Sequence, residues 1–349
     1  MLLNKPKNIN KGLIIAVDGY SLIEFVISLG ISMVVFLFTV ELLTNQQGLV
    51  KSLDEKLNIR IQSQILGFKI GRVIESAGGQ GLAPWQAIYV ENNCDARWVF
   101  PACQSNDRIT LLTSKTDSSG TLYANRLVTS YEPNTGIVHL SPAVGVSCGS
   151  LEFLKGETVV IFFSNGEVMT RRITQFDENL CTLYSVVDKQ SEVLTTTTNN
   201  SFSGAFLNIV KVITYFFDPN QKKILTFINK NNNDSVENNE ITSQMNDIYS
   251  FQIALGYDFM PRDGSVIDEH SNSDEWLYNT PNESWNRDVF LTAQKSDLVS
   301  IKLSYITGVA SIRPNSGSFQ ILDGATVNLN YHSFQKQSFN IVLRNLTSY

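Results

Sequence analysis

The stretch that most limits what this chain can become runs from Gly19 to Leu43. A short leader carrying Lys5, Lys7 and Lys11 leads into Gly19-Tyr20-Ser21-Leu22-Ile23-Glu24. An apolar run from Phe25 to Val40 follows, broken only by Ser28, Gly30, Ser32 and Thr39. As a helix, Tyr20 to Leu43 would be about 36 Å long, enough to cross a bilayer core of about 30 Å. The residue that does not belong there is Glu24, a carboxylate one turn inside. An acid at membrane depth costs roughly 2.5–3.5 kcal/mol on insertion scales, so Glu24 calls for a partner and a role. The leader lysines place residues 1–19 in the cytoplasm and the chain after about residue 45 outside. A cleaved secretory signal would carry its apolar region before an A-x-A-like site. Here the run lies after Gly19, and no such site follows it.

These residues resemble the class III signal of type IV prepilins. The resemblance implies cleavage by a prepilin peptidase after Gly19, methylation of the new N-terminus at Tyr20, and Glu24 as the fifth residue of the mature chain. A buried Glu beside a freed α-amino group, on its own or a neighbouring helix, leaves neither charge unpaired. Glu24 is therefore the expected subunit-assembly residue.

Beyond the apolar run, Val50, Leu53, Leu57, Ile61, Ile65 and Phe68 recur every three or four residues, with Lys51, Asp54, Glu55, Lys56 and Arg60 between them. Ile70, Val73, Ile74 and Ala77 extend this stripe until Gly78-Gly79 stops it. The pattern predicts one helix from about Tyr20 to Ala77. Residues 20–45 form its membrane or filament-core part, and residues 46–79 an amphipathic part lying on a domain. Gly30, Gly48, Gly67 and Gly71 are expected soft points at which the helix kinks.

Residues 80–349 read as strands and loops. Short β-like runs occupy Ile109–Thr113, Ile137–Leu140, Cys181–Val187, Tyr249–Tyr257 and Leu298–Ile306. Two hairpins stand out, Thr158–Phe163 with Val168–Ile173, and Ile209–Phe217 with Ile224–Ile228. Phe319–Leu322 and Ser338–Asn345 are expected to close the sheet. The polar stretches Thr195–Ser203 and Asn229–Glu240, and the acidic, aromatic stretch Asp258–Asp288, read as loops. The expected class is α+β, a long N-terminal helix packed on a mostly antiparallel β domain, as in type IV pilins.

The formal charge of −6 becomes −8 once the leader's three Lys and one Asp are removed. That balance argues against nucleic-acid binding as the main function. Cys94, Cys103, Cys148 and Cys181 all lie in the part read as extracytoplasmic, where an even count points to disulfides. Three pairings exist; proximity favours Cys94–Cys103 with Cys148–Cys181. No C-x₂-C spacing occurs, and His139, His270 and His332 stand apart, so zinc is not expected. Asp258, Asp263 and Asp268 are weak calcium candidates. Their spacing fails the EF-hand pattern, with Met260 and Arg262 at ligand positions. Gly145-Val146-Ser147-Cys148-Gly149 matches G-x-S-x-G by letter but lacks room for the helix a nucleophile elbow needs. Trp276, Tyr278 and Trp285 are candidates for a contact surface or for packing.

The second half sharpens the resemblance. Val212–Tyr215, Ile248–Asp258, Asp263–Asp268, Leu298–Ile306 and the closing Asn340–Asn345 follow in the order seen in PilW-type minor pilins. That resemblance implies a non-enzymatic role without a cofactor. It implies residence in the bacterial inner membrane, then in the extracellular pulled-out filament, with the chain priming pilus assembly near the tip. The partners implied are the prepilin peptidase, other minor pilins and the major pilin, the last two through N-terminal helices. A type II secretion pseudopilin shares the signal. A tip adhesin that carries a surface-ligand module on a pilin stalk is the alternative of a different class.

Overall fold

The computed structural model describes residues 21–78, 82–92, 94–115, 126–141, 148, 155–163, 168–192, 205–229, 239–257, 276–277, 298–310, 317–322, 324, 326–329 and 332–343. Helix α1 runs unbroken over Leu22–Glu75, 54 residues. The chain divides into one unit ending at Glu55 and a second beginning at Lys56, which holds all the described β-strands. The helix stops at the expected place, because Gly78 adopts φ +83° and carries the chain into the left-handed region. Gly67 and Gly71 are not breaks in the helix. A Cβ at Gly67 would stand 2.7 Å from the Phe339 ring, and one at Gly71 would touch Ile341, so both glycines admit a strand close to the helix.

Ten strands form one sheet system: β1 (Ile88–Asn92), β2 (Asp107–Ser114), β3 (Arg126–Glu132), β4 (Ile137–Leu140), β5 (Thr158–Phe162), β6 (Val168–Asp177), β7 (Thr182–Val187), β8 (Ala205–Asp218), β9 (Lys223–Phe227) and β10 (Ile241–Met245). Within it β3 pairs β4, β4 pairs β7, β7 pairs β6, β6 pairs β5, and β8 pairs both β5 and β3. Those six pairings close a ring. Residues 126–210 thus hold an antiparallel barrel, filled by its own core of Val128, Val138, Ile161, Met169, Leu183 and Leu207 among others. Both expected hairpins are present as β5–β6 and β8–β9, but a barrel was not foreseen.

Strand β8 makes the architecture. Its 14 residues leave only Phe206 and Lys211 exposed before Asp218, as suits a strand covered on both faces. Its first part closes the barrel, and its second part pairs β2 on one edge and β9 on the other. Along the second edge of β8, pairing with β5 runs as far as Val210, opposite Thr158, and pairing with β9 starts at Thr214, opposite Phe227. Buried Gln190 fills that gap, its Nε2 donating to the carbonyls of Val212 and Phe227 at 3.3 Å each. A carbonyl between two partner strands would otherwise be left without a donor.

Gly136 locks the barrel's seam. It ends the turn after β3 with φ +69°, and its carbonyl accepts from Ser185 N at 3.0 Å and Ser185 Oγ at 2.6 Å. A Cβ there would lie 2.1 Å from the Ser185 carbonyl oxygen. Gly136→Ala must therefore push β4 and β7 apart as well as bear about 1–2 kcal/mol of left-handed strain. It is expected to lower stability by more than 2 kcal/mol (about 3) in urea denaturation; a loss below about 0.5 kcal/mol would show the seam to be loose.

A second sheet orders β12 (Trp276–Leu277), β11 (Ile248–Tyr257), β13 (Leu298–Ala310) and β16 (His332–Val342). A separate ribbon pairs β14 (Gly317–Phe319) with β15 (Val327–Leu329). The expectation that Phe319–Leu322 helps close the main sheet is thus corrected. Ile321 and Val327 instead pack with Ile306 of β13 and Phe334 of β16, beside the second sheet. Among the described residues, β11 pairs with β12 at Leu255 and Gly256 alone. Farther along that edge, Asn106 Oδ1 accepts from Phe251 N at 2.8 Å and Asp107 Oδ2 from Ile253 N at 2.6 Å. Two side chains at the head of β2 thereby do what a neighbouring strand would do, and join the two sheets.

Within the second unit, Leu66, Ile70 and Ile74 of α1 share one core with Leu111, Ile213, Phe251, Leu303 and Ile341. Each such side chain contributes about 1.5–3 kcal/mol when fully buried. Ser63 Oγ donates to the Tyr305 hydroxyl at 2.9 Å, and that hydroxyl donates on to the Ser63 carbonyl at 2.5 Å. Burial pushes Tyr305 up to about 12, partly opposed by the Ser63 hydrogen bond.

Candidate functional site

Gly19 and Tyr20, the expected cleavage and methylation positions, lie outside the described residues. Immediately after them Ser21 and Glu24 form a reciprocal cap. Ser21 N donates to Glu24 Oε2 at 3.0 Å, and Glu24 N donates to Ser21 Oγ at 3.3 Å. This is the capping box S-x-x-E, which satisfies two amides that a helix start leaves without partners. The carboxylate also stands at the positive end of the helix dipole. The spacing was legible in Ser21-Leu22-Ile23-Glu24, but the anomaly of a charge in an apolar run pointed to the freed α-amino group, on its own or a neighbouring helix, as the partner. Glu24 has a partner within its own helix.

From Leu22 to Leu43 the large apolar side chains are exposed throughout. By length and composition this helix can cross a membrane, and none of its most apolar window is buried. Thr39 Oγ1 donates to the Val35 carbonyl at 2.8 Å and Thr44 Oγ1 to the Val40 carbonyl at 3.0 Å. Hydroxyls folded onto the preceding turn present no free donor to an apolar neighbour.

The amphipathic half corrects the stripe read from the sequence. Ile70, Ile74 and Ala77 face the core, as expected, and Leu66, which the expected stripe did not include, faces it with them. Leu57, Ile61, Ile65 and Phe68 do not: they are 57, 45, 49 and 61 % exposed. At about 100° per residue these four fall on the side of the helix roughly opposite Leu66, Ile70 and Ile74. The helix therefore carries two apolar faces, one covered by the β structure and one open, with Arg72 lying over the Phe68 ring at 4.5 Å.

The cysteines pair as Cys94–Cys103 and Cys148–Cys181. The first closes a loop fastened by one carboxylate. Glu91 Oε1 accepts from Arg97 Nε and Arg108 Nη2, and Oε2 from Arg97 Nη2 and Arg108 Nε, all at 2.8–3.0 Å. Arg108, fully buried, also donates to the Pro101 and Asp95 carbonyls. Both guanidinium groups lie against the Phe100 ring, which meets Phe216 and Phe227 edge-on. Burial raises the Glu91 pKa, but the hydrogen bonds and charges of Arg108 and Arg97 prevail and hold it below the usual carboxylate value.

Ser147 lies outside the described residues and Cys148 is in a disulfide, so the G-x-S-x-G letters form no described site. Buried Asp188 accepts from Ser191 Oγ, burial pushing its carboxyl up, and this pair anchors the turn after β7. His139 Nδ1 is 3.1 Å from Thr182 Oγ1, with Glu132 3.6 Å from Nε2. Asp258, Asp263 and Asp268 fall outside the described residues, as do Tyr278 and Trp285. Trp276 is buried under Lys302, whose Nζ is 4.6 Å from the ring centroid, so it packs rather than faces a ligand. Among the described residues no three His, Cys, Asp or Glu side chains are grouped to hold a metal ion. Comparisons with family models, with curated proteins and with solved structures find no match.

Proposed function

We propose that the chain is a minor pilin of a type IV pilus, cut after Gly19 by a prepilin peptidase, methylated at Tyr20, and assembled through its N-terminal helix. The observation that carries this reading is the composition of α1. An uncovered apolar half begins at Ser21–Glu24, directly behind a glycine and a basic leader, and the far end of the same helix is built into a β domain. The membrane holds the apolar half before assembly, and equivalent helices of other minor pilins and of the major pilin cover it afterwards. Glu24 keeps its cap in either setting, since cleavage after Gly19 leaves the Ser21 amide intact. No chemistry is asked of the β domain, whose polar clusters fasten loops and sheet edges. A pseudopilin of a type II secretion tip complex rests on the same helix.

The barrel favours a second reading, a tip adhesin on a pilin stalk. Six strands with a core of their own are more than a helix needs for cover. The primary test is the mass and N-terminal sequence of the protein from membranes, beside Gly19→Ala. A chain starting at methylated Tyr20 in the wild type alone is expected. A chain starting at Met1 in both, or cut after residue 45, would sink the prepilin route. Adhesion lost with normal piliation when the barrel is altered would favour the adhesin over the assembly role.

A further inference from the structure

We propose that the barrel binds an oxyanion, the carboxylate or sulfate group of a ligand, through Arg171 at the end of its interior. Strand β6 alternates Met169, Arg171 and Ile173, and Met169 and Ile173 both belong to the barrel core. Arg171 therefore lies on the inner wall. Its register partners are Val159, which is fully buried, and Val187, which is 44 % exposed, so it stands where the interior opens. The guanidinium reaches the Tyr131 ring at 5.2 Å from the centroid. Its Nε is buried without a hydrogen-bond partner, and no ion pair to it occurs among the described residues.

A guanidinium stays charged in a protein, and taking it out of water without a counter-ion is costly. Desolvation accordingly lowers its pKa. The neighbouring Arg172, on the other face of β6, has Asp188 as an electrostatic partner. The chain carries 33 acidic and 27 basic residues, yet none of the described acids is placed against Arg171. The planar fork of an arginine matches carboxylate and sulfate oxygens in pairs, and a ring beneath it keeps the fork in one plane. The site so defined is one cation, half sunk in an apolar barrel, with donors left to give. This inference is independent of the pilin reading.

The test follows the side-chain Nε–H resonance of Arg171 in the ¹⁵N-arginine-labelled full-length protein in detergent, assigned by its loss in Arg171→Lys. Sodium acetate and sodium sulfate are titrated separately, with ionic strength held constant by chloride. A saturable shift is expected with at least one of them, together with a rise in unfolding midpoint that Arg171→Met loses. The stronger arm identifies the ligand group as carboxylate or sulfate. No saturable shift with either anion overturns the proposal, and so does an equal midpoint rise in Arg171→Met. Should Arg171→Met not fold, the wild-type titration still decides, with Arg171→Lys expected to bind more weakly.

Discussion

Glu91→Gln is expected to destabilise the protein by about 3–5 kcal/mol, the usual cost of leaving a buried charge without its partner. The reason lies in how much one carboxylate holds. Its two oxygens accept four hydrogen bonds from Arg97 and Arg108, and the Arg108 side chain is only 1 % exposed. An amide in the same place keeps one acceptor and leaves two guanidinium groups with no negative charge between them. The Cys94–Cys103 loop would stay closed covalently but lose its seat on β1 and β2. Replacing the facing pair together, Glu91→Leu with Arg108→Met, is expected to cost less than Glu91→Gln alone, since apolar groups of similar volume need no partner. Urea denaturation of the three proteins checks both statements. A Glu91→Gln loss below about 1 kcal/mol would show the network to be solvated.

The same carboxylate sets a pH dependence. The folded pKa of Glu91 is depressed below the ordinary value of 4.5. Its contribution is therefore fully present above 4.5 and is lost as pH falls through the depressed folded value. Acid destabilisation of the wild type in that window should be weaker in Glu91→Gln, which has no proton to take up there.

How much of this was legible beforehand depended on whether the signal was local. The long helix was, because an apolar run with one acid and a terminal glycine pair needs no distant partner to be recognised. The hairpins β5–β6 and β8–β9 were, because each joins sequence neighbours. The barrel was not. It closes only because Ala205–Leu207 pairs with Arg126–Val128 while Phe206–Val210 pairs with Thr158–Phe162. Alternation identifies a strand without saying which strands flank it. The Glu91–Arg97–Arg108 network was invisible for the same reason: three charges scattered over a strand, a loop and a second strand look like ordinary surface. Arg171 was hidden differently, as an apparently outward residue in a polar stretch whose parity places it inside. The two faces of α1 were misjudged because a period of three or four finds apolar residues equally well on either side of a helix.

That second face gives the sharper functional prediction. Single exposed apolar residues are ordinary. Leu57, Ile61, Ile65 and Phe68 instead succeed one another at spacings of four, four and three, which makes a ridge of the kind that seats in the groove of another helix. Under the pilin reading, what covers it is a neighbouring subunit in the filament. Ile61→Ser with Ile65→Ser should then leave the isolated protein's stability within about 0.5 kcal/mol for each change, as for other surface positions. Ile70→Ser, on the covered face at 0 % exposure, should cost about 2–5 kcal/mol. Incorporation into sheared filaments should respond in the opposite sense for the first pair, falling to background in a protein that folds and is processed normally. Loss of stability in Ile61→Ser with Ile65→Ser as large as that of Ile70→Ser would mean that the ridge already has a partner within the chain. Unchanged stability with unchanged incorporation would mean that it faces solvent in the filament too, and that assembly depends on the apolar half of α1 alone.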